Sequence, residues 1–259
     1  MPGLSRLLIL LLAVPACAVP FTAVTPGGGA RPPIVLTSGQ ADARQAAEFL
    51  REGLGKMTGQ QLPIVPQGDP ARGFVLATLA TVPALGEDPA IHKALANDGT
   101  DSYNDREAFY VRTDAQRVLL VANTPTGLVH AAVELLRSVD YEVLGLGPNW
   151  IHVPDYTKRP LIFDLERAGR PGYYLRALWA TSGQSYGVGT ITKTTHPADE
   201  PVDVSYHRWL IGTHLYGASM PPFPGHAWQG YMVKVAERML ETKSTQGFLV
   251  KQCATGPDQ

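Results

Sequence analysis

Acid–base chemistry by carboxylates needs two of them facing one another, one protonated and one ionised. In the C-terminal third, Glu237 and Glu241 stand four residues apart beside Lys234 and Arg238. At helical spacing that pattern reads as a solvated, charge-laced face. Asp199, Glu200 and Asp203 fall in a polar stretch containing Pro197 and Pro201, and they read as solvated too. Asp164 and Glu166 alternate, so an extended backbone puts both on one face. Arg167 and Arg170 follow within reach, and pairing with them is the expected use of those carboxylates.

Histidines are the other group that could carry chemistry. His207 and His214 are seven apart and share a face if that stretch is helical. Together with His226 they could imitate a three-histidine metal site, but the spacing matches no zinc pattern. Ordinary core or surface histidines are expected, with no metal. Ser182-Gly183-Gln184-Ser185 and Gly187-Val188-Gly189 form neither a nucleophile elbow nor a phosphate loop, and there is no CxxC, P-loop or dinucleotide fingerprint. No cofactor is expected. Cys253 has no histidine near it in sequence and reads as a plain thiol.

The elements that must position such groups centre on Glu107–Val153. Ala108–Thr113 and Arg117–Ala122 are β-rich runs separated by Asp114-Ala115-Gln116, a spacer short enough for a hairpin. Val118-Leu119-Leu120-Val121 is apolar on both faces, as a central covered strand requires. Thr124-Pro125 gives an N-cap and a proline at the first helical position. Leu128, Ala132, Leu135, Leu136 and Val139 then make one apolar helix face. Tyr141–Leu146 reads as a returning strand. Upstream, Ile34–Thr37 is a strand, and Asp42 with Gln45 a plausible helix start. Ala43, Ala46, Ala47, Leu50, Leu54 and Met57 form the helix's apolar stripe, and Gly59 is its stop. Strands follow at Leu62–Val65 and Phe74–Leu79, then a helix-tolerant Pro89–Ala96 and a polar loop over Asn97–Asp105. The order predicts an α/β (α+β) layer: two main helices on a mixed sheet of about five strands.

The composition is that of an ordinary globular protein, and a net charge of −1 gives no reason to expect nucleic acid as a partner. Arg6, the apolar run Leu7–Val14 and Ala16-Cys17-Ala18 spell a secretory signal peptide over residues 1–18. The run is too short to anchor in a bilayer, so no transmembrane segment is expected after cleavage. A secreted or periplasmic location follows. A second reading makes Cys17 the lipidated first residue of a lipoprotein. Residues 19–32, with Gly27-Gly28-Gly29 and Pro32-Pro33, read as a flexible leader.

Residues 33–153 resemble a known accessory domain. Ala46-Ala47-Glu48-Phe49-Leu50 leading to Lys56-Met57-Thr58-Gly59-Gln60-Gln61-Leu62-Pro63-Ile64-Val65 is similar to the first helix and second strand of the N-terminal domain that precedes the catalytic barrel in α-glucuronidases and β-N-acetylhexosaminidases. Glu107–Val121 followed by Thr124-Pro125-Thr126-Gly127-Leu128 resembles its second half. Residues 154–172 then read as a linker. Tyr173-Tyr174-Leu175-Arg176-Ala177-Leu178 resembles the first barrel strand of those enzymes, and Tyr206–Leu210 with Pro224–Trp228 a secreted bacterial branch of glycosidase-like proteins.

The resemblance implies a carbohydrate partner and an activity of the glycoside hydrolase type. It makes Arg176 a donor to a sugar hydroxyl; the alternative is an arginine paired to a carboxylate at the domain junction. His226 and Trp228 follow Pro221–Gly225 in a loop, where the indole could stack on a sugar and the imidazole donate to it; the alternative is interface packing and helix capping. Glycoside hydrolysis needs a carboxylate pair, and none here matches the family's. After Val153 only 259 − 153 = 106 residues remain, whereas a (β/α)₈ barrel needs roughly 200 or more. Residues 173–259 are therefore expected to hold an incomplete, truncated barrel without turnover. A cell-surface carbohydrate-binding or adhesion module is the alternative, and an inactive fragment a third.

Overall fold

A computed structural model of the chain describes residues 18–29, 31–96, 105–172 and 202–217. Its centre is a mixed six-stranded sheet. In spatial order the strands are β10 (Glu166–Gly169), β5 (Phe109–Thr113), β6 (Arg117–Ala122), β4 (Gly73–Thr78), β2 (Ile34–Leu36) and β3 (Ile64–Pro66). β6, β4, β2 and β3 run parallel, and β5 and β10 add an antiparallel flank. The fold class read from the sequence is therefore present, with one strand more than expected.

Alternation within the strands divides the core in two. Ile34, Leu36, Phe74, Leu76, Val118 and Leu120 face α1 (Ala41–Thr58) and α3 (Pro125–Arg137). Val35, Val75, Ala77, Leu119 and Val121 face Ile91 and Leu95 of the short helix α2 (Pro89–Leu95). Both faces are covered, which is why β4 and β6 read as unbroken apolar runs. The two main helices approach closely where Gly53 meets Leu136: a Cβ at Gly53 would lie 2.6 Å from Leu136 Cδ1.

Helix ends follow local chemistry. Gly59 takes the left-handed conformation (φ 70°) and returns its N–H to Gly55 O, closing α1. Thr124 caps α3 with Pro125 next to it, as its sequence indicates. Asp42 does not start α1. The cap is Gln40, with no side-chain bond, and the Asp42 carboxylate instead accepts from Thr126 Oγ1 (2.5 Å) and Tyr216 Oη (2.8 Å). Asp88 caps α2 through the amides of Ala90 and Ile91 and holds Arg112 at 2.7 Å. Burial raises its carboxyl, but those donors outweigh it and keep its pKa below the usual carboxylate value.

Three expectations are corrected. The leader contains a strand, β1 (Phe21–Val24), paired antiparallel with β9 (Leu161–Phe163). Edge-to-face contacts of Phe74 with Phe21 (5.6 Å) and Phe163 (5.7 Å) pin this ribbon to the core. The stretch expected as a linker supplies both β9, which pairs with β1, and β10, which pairs antiparallel with the outer side of β5. The returning strand does not join the main sheet: it shrinks to β7 (Glu142–Val143), paired with β8 (Ile151–His152) in a separate ribbon. A last helix, α4 (Val202–Gly212), buries Ile211 in the core beside Val143. Residues 173–201 and 218–259, where most of the barrel-like portion was expected, lie outside the described residues, as does the stretch read as a signal peptide, through Cys17.

Candidate functional site

The described residues bring charged and imidazole groups together at the β10 flank, where α3 passes under the sheet edge. His130 and Glu134 are four apart on α3 and share a face. His130 is fully buried. Its Nε2 lies 2.9 Å from Glu107 Oε2, contributed by the loop entering β5. Its Nδ1 lies 3.1 Å from His214 Nδ1. His214 Nε2 in turn sits 2.8 Å from Glu134 Oε1. The result is an unbroken chain, Glu107–His130–His214–Glu134. Arg167 Nε closes its outer end at 3.0 Å from Glu134 Oε2, with Arg137 at 3.6 Å from Oε1.

His214 belongs to the turn after α4 and has φ 60°. A non-glycine residue in the left-handed region costs about 1 kcal/mol or more and persists only where its surroundings fix it. Here the two ring nitrogens are both engaged, which supplies that constraint. The hydrogen bond from His214, aided by the nearby arginines, holds the Glu134 carboxyl below its ordinary value against the opposing effect of burial.

A cleft of about 280 Å³ opens beside this chain, lined by Phe109, His130, Glu134, His214 and Arg167, Ala168 and Gly169 of β10, with Arg170 beyond them. Arg170 is ion-paired to the buried Asp105. Asp105 Oδ2 has no hydrogen-bond partner among the described residues. Each exposed cation of the cleft is thus already matched to a carboxylate. Among the described residues no hydroxyl or thiol nucleophile lines the cleft. Among the described residues no group of three His, Cys, Asp or Glu is placed to hold a metal ion.

The sequence-derived site residues fare as follows. Arg176, His226 and Trp228 lie outside the described residues. So do Asp199, Glu200, Glu237 and Glu241; Asp203 falls within α4. His207 and His214 do not share a helix face, since α4 ends at Gly212. His207 packs edge-on against Tyr216 at 5.5 Å, and burial lowers its pKa, with Asp42 acting the other way. Asp164 and Glu166 do not pair with Arg167 and Arg170. Glu166 accepts from Tyr110 Oη at 2.6 Å, on the sheet face opposite Arg167. The alternation of β10 sends Arg167 to the α3 side, where Glu134 waits. Glu107, His130 and Glu134 were missed. The usable signal was two polar residues, four apart, on a helix otherwise buried and apolar.

No exposed aromatic row runs along the sheet among the described residues: both faces are covered, and the large exposed aromatic, Trp150, sits by the β7–β8 ribbon. No described helix is long and apolar enough to cross a membrane.

No family model matches the sequence, and no curated protein does either. A solved structure with distant similarity is an inactive mutant of a GH20 exo-β-N-acetylglucosaminidase from Vibrio harveyi, at 11% identity and a TM-score of 0.33. The match covers 62% of this chain and 18% of that enzyme, so the chain spans under a fifth of its length. At that identity and score the likeness carries no argument about this chain's family or activity.

Proposed function

We propose that this chain is an exported, non-catalytic accessory domain of the kind that braces a glycoside hydrolase barrel. The observation that carries the reading is where the two family-like motifs fall. The Lys56–Val65 motif coincides with the end of α1, the left-handed Gly59 cap, buried Leu62 and the entry to β3. The Thr124–Leu128 motif coincides with the cap of α3, where Gly127 lets the helix start close to β6 and the chain before β5. A Cβ there would lie 2.9 Å from Ala122 Cβ and 3.1 Å from Glu107 O. Motif residues with such local duties are those a shared domain would keep.

In this reading a carbohydrate is the eventual partner, and Arg176, His226 and Trp228 are its contacts. Export rests on Arg6, the Leu7–Val14 run and Ala16-Cys17-Ala18. Neither a catalytic carboxylate pair nor a cofactor is assigned to the chain. The test is turnover of a panel of aryl-glycosides, including the N-acetylglucosaminide and the glucuronide, by the purified protein. The expected result is no release above the enzyme-free blank. Hydrolysis that survives repurification would overturn the non-catalytic reading. N-terminal sequencing of the exported protein is expected to start just after Ala18, and retention of Met1 on exported material would remove the secretory part.

A further inference from the structure

The Glu107–His130–His214–Glu134 chain can be hydrogen-bonded throughout only at one proton count. A carboxylate accepts hydrogen bonds and cannot donate. Each Nε2 facing a glutamate must therefore carry a proton, or receive one from that glutamate. The Nδ1···Nδ1 contact of 3.1 Å is a hydrogen bond only when one further proton lies between the rings. Three hydrogen bonds thus hold three protons, so the two rings with their carboxylates carry one proton beyond the neutral tautomers. The ring centroids are 5.3 Å apart. That is close to the nitrogen–nitrogen distance plus the two ring radii, so the lone pairs meet head-on. A metal at ~2.0 Å from both nitrogens would need the rings to lean toward a common point and bring the centroids closer.

His130 belongs to α3, and His214 to the segment that carries α4. We propose that this shared proton is a latch: it fastens the 202–217 segment to the sheet-and-helix unit, and pH sets how firmly the segment is held. Raising the pH removes the bridging proton and leaves two nitrogen lone pairs opposed at 3.1 Å. Lowering it adds a fourth proton and opposes two N–H groups. Docking is thus strongest where one proton is shared and weakens on either side.

The latch is set among other charges. Glu107 faces it from the loop before β5, Glu134 and Arg137 from α3, and Arg167 from β10, with the Arg170–Asp105 pair across the cleft. Asp42, His207 and Tyr216 form a second polar joint between α1 and the same segment, and Arg208 Nε lies 2.9 Å from Glu52 Oε1. Arg137 Nη2 also donates to Gly212 O at 3.1 Å. These joints hold the segment without a shared proton. The latch therefore modulates docking and is not the whole of it.

The measurement is amide hydrogen exchange of peptides spanning 202–217 in the full chain from pH 5 to 9, corrected for intrinsic exchange and compared with peptides from α1. Protection of 202–217 is expected to pass through a maximum within this range and to fall on either side of it, with α1 unchanged. In His214→Gln the fall on the alkaline side is expected to vanish, while the acid-side fall remains, because burial lowers the pKa of His207 in the same segment. Tyr216→Phe, which removes a joint outside the proton chain, should lower protection but keep the dependence. A flat profile in the wild-type chain, or an alkaline fall that survives His214→Gln, would overturn the latch. So would protection lost on adding EDTA and restored by zinc, since a metal would then occupy the place given to the proton.

Discussion

Gly73 opens β4, and its backbone is left-handed at φ 81°. A Cβ at this position would collide with the carbonyl oxygen of Pro33. That oxygen already accepts from Phe74 N at 2.8 Å, the first rung between β2 and β4. Gly73→Ala therefore meets two separate penalties. Forcing an L-residue into the left-handed region costs roughly 1–2 kcal/mol. Displacing Pro33 O weakens a buried backbone hydrogen bond worth about 1 kcal/mol. Together they predict a loss of about 2–3 kcal/mol. For a domain of this size that is a fall in Tm of roughly 5–10 °C. Urea unfolding followed by far-UV circular dichroism gives the free energy, and a thermal scan gives the shift. Gly39→Ala is the control, because nothing lies within 4 Å of a Cβ there, and it should change stability by no more than about 0.5 kcal/mol. Equal, small effects from the two substitutions would refute the close approach of β2 and β4 at this end.

Other substitutions probe the caps and the charged flank. Asp88→Ala removes the α2 cap and the partner of Arg112, and urea unfolding should show a loss of about 1–2 kcal/mol. Thr124→Ala uncaps α3 and frees the Arg106 carbonyl that its hydroxyl reaches at 2.8 Å. A loss of about 1 kcal/mol is expected by the same assay. Glu134 has a lowered folded pKa, so its contribution is complete above its ordinary value of 4.5 and fades as pH falls through the lowered one. Melting curves recorded from pH 6 downward should therefore show a shallower acid decline in Glu134→Gln than in the wild type; identical declines would count against the ion-paired site.

How far the sequence reached depended on whether an element's reason to exist was local. The β5–β6 hairpin turns at Asp114, whose carboxylate accepts from the amides of Gln116 and Arg117. The Thr124-Pro125 start of α3 and the Gly59 stop of α1 are also signals within a few residues, and all were legible. β1, β9 and β10 were not. Each has only three or four residues, and β10 reads Glu-Arg-Ala-Gly, with no apolar run. Their warrant is a distant partner: Phe21 finds Phe163, and Gly169 finds Phe109. Tyr141–Leu146 failed for the opposite reason. Its apolar residues suggested a core strand, yet Leu144 and Leu146 are exposed. The site shares the pattern of the missed strands. His130 and Glu134 were visible as polar intrusions on α3, but Glu107 and His214 join them only through the tertiary fold.

The pairing of Phe21 with Phe163 spans 163 − 21 = 142 residues. A ribosome adds ~5–20 residues per second, so the earliest strand waits on the order of ten seconds for its mate to be synthesised. Until then the nascent polypeptide cannot close its first ribbon, and Phe74 lacks its edge-on neighbour Phe163. Such delayed closure leaves the chain open long enough for a holding chaperone to capture it.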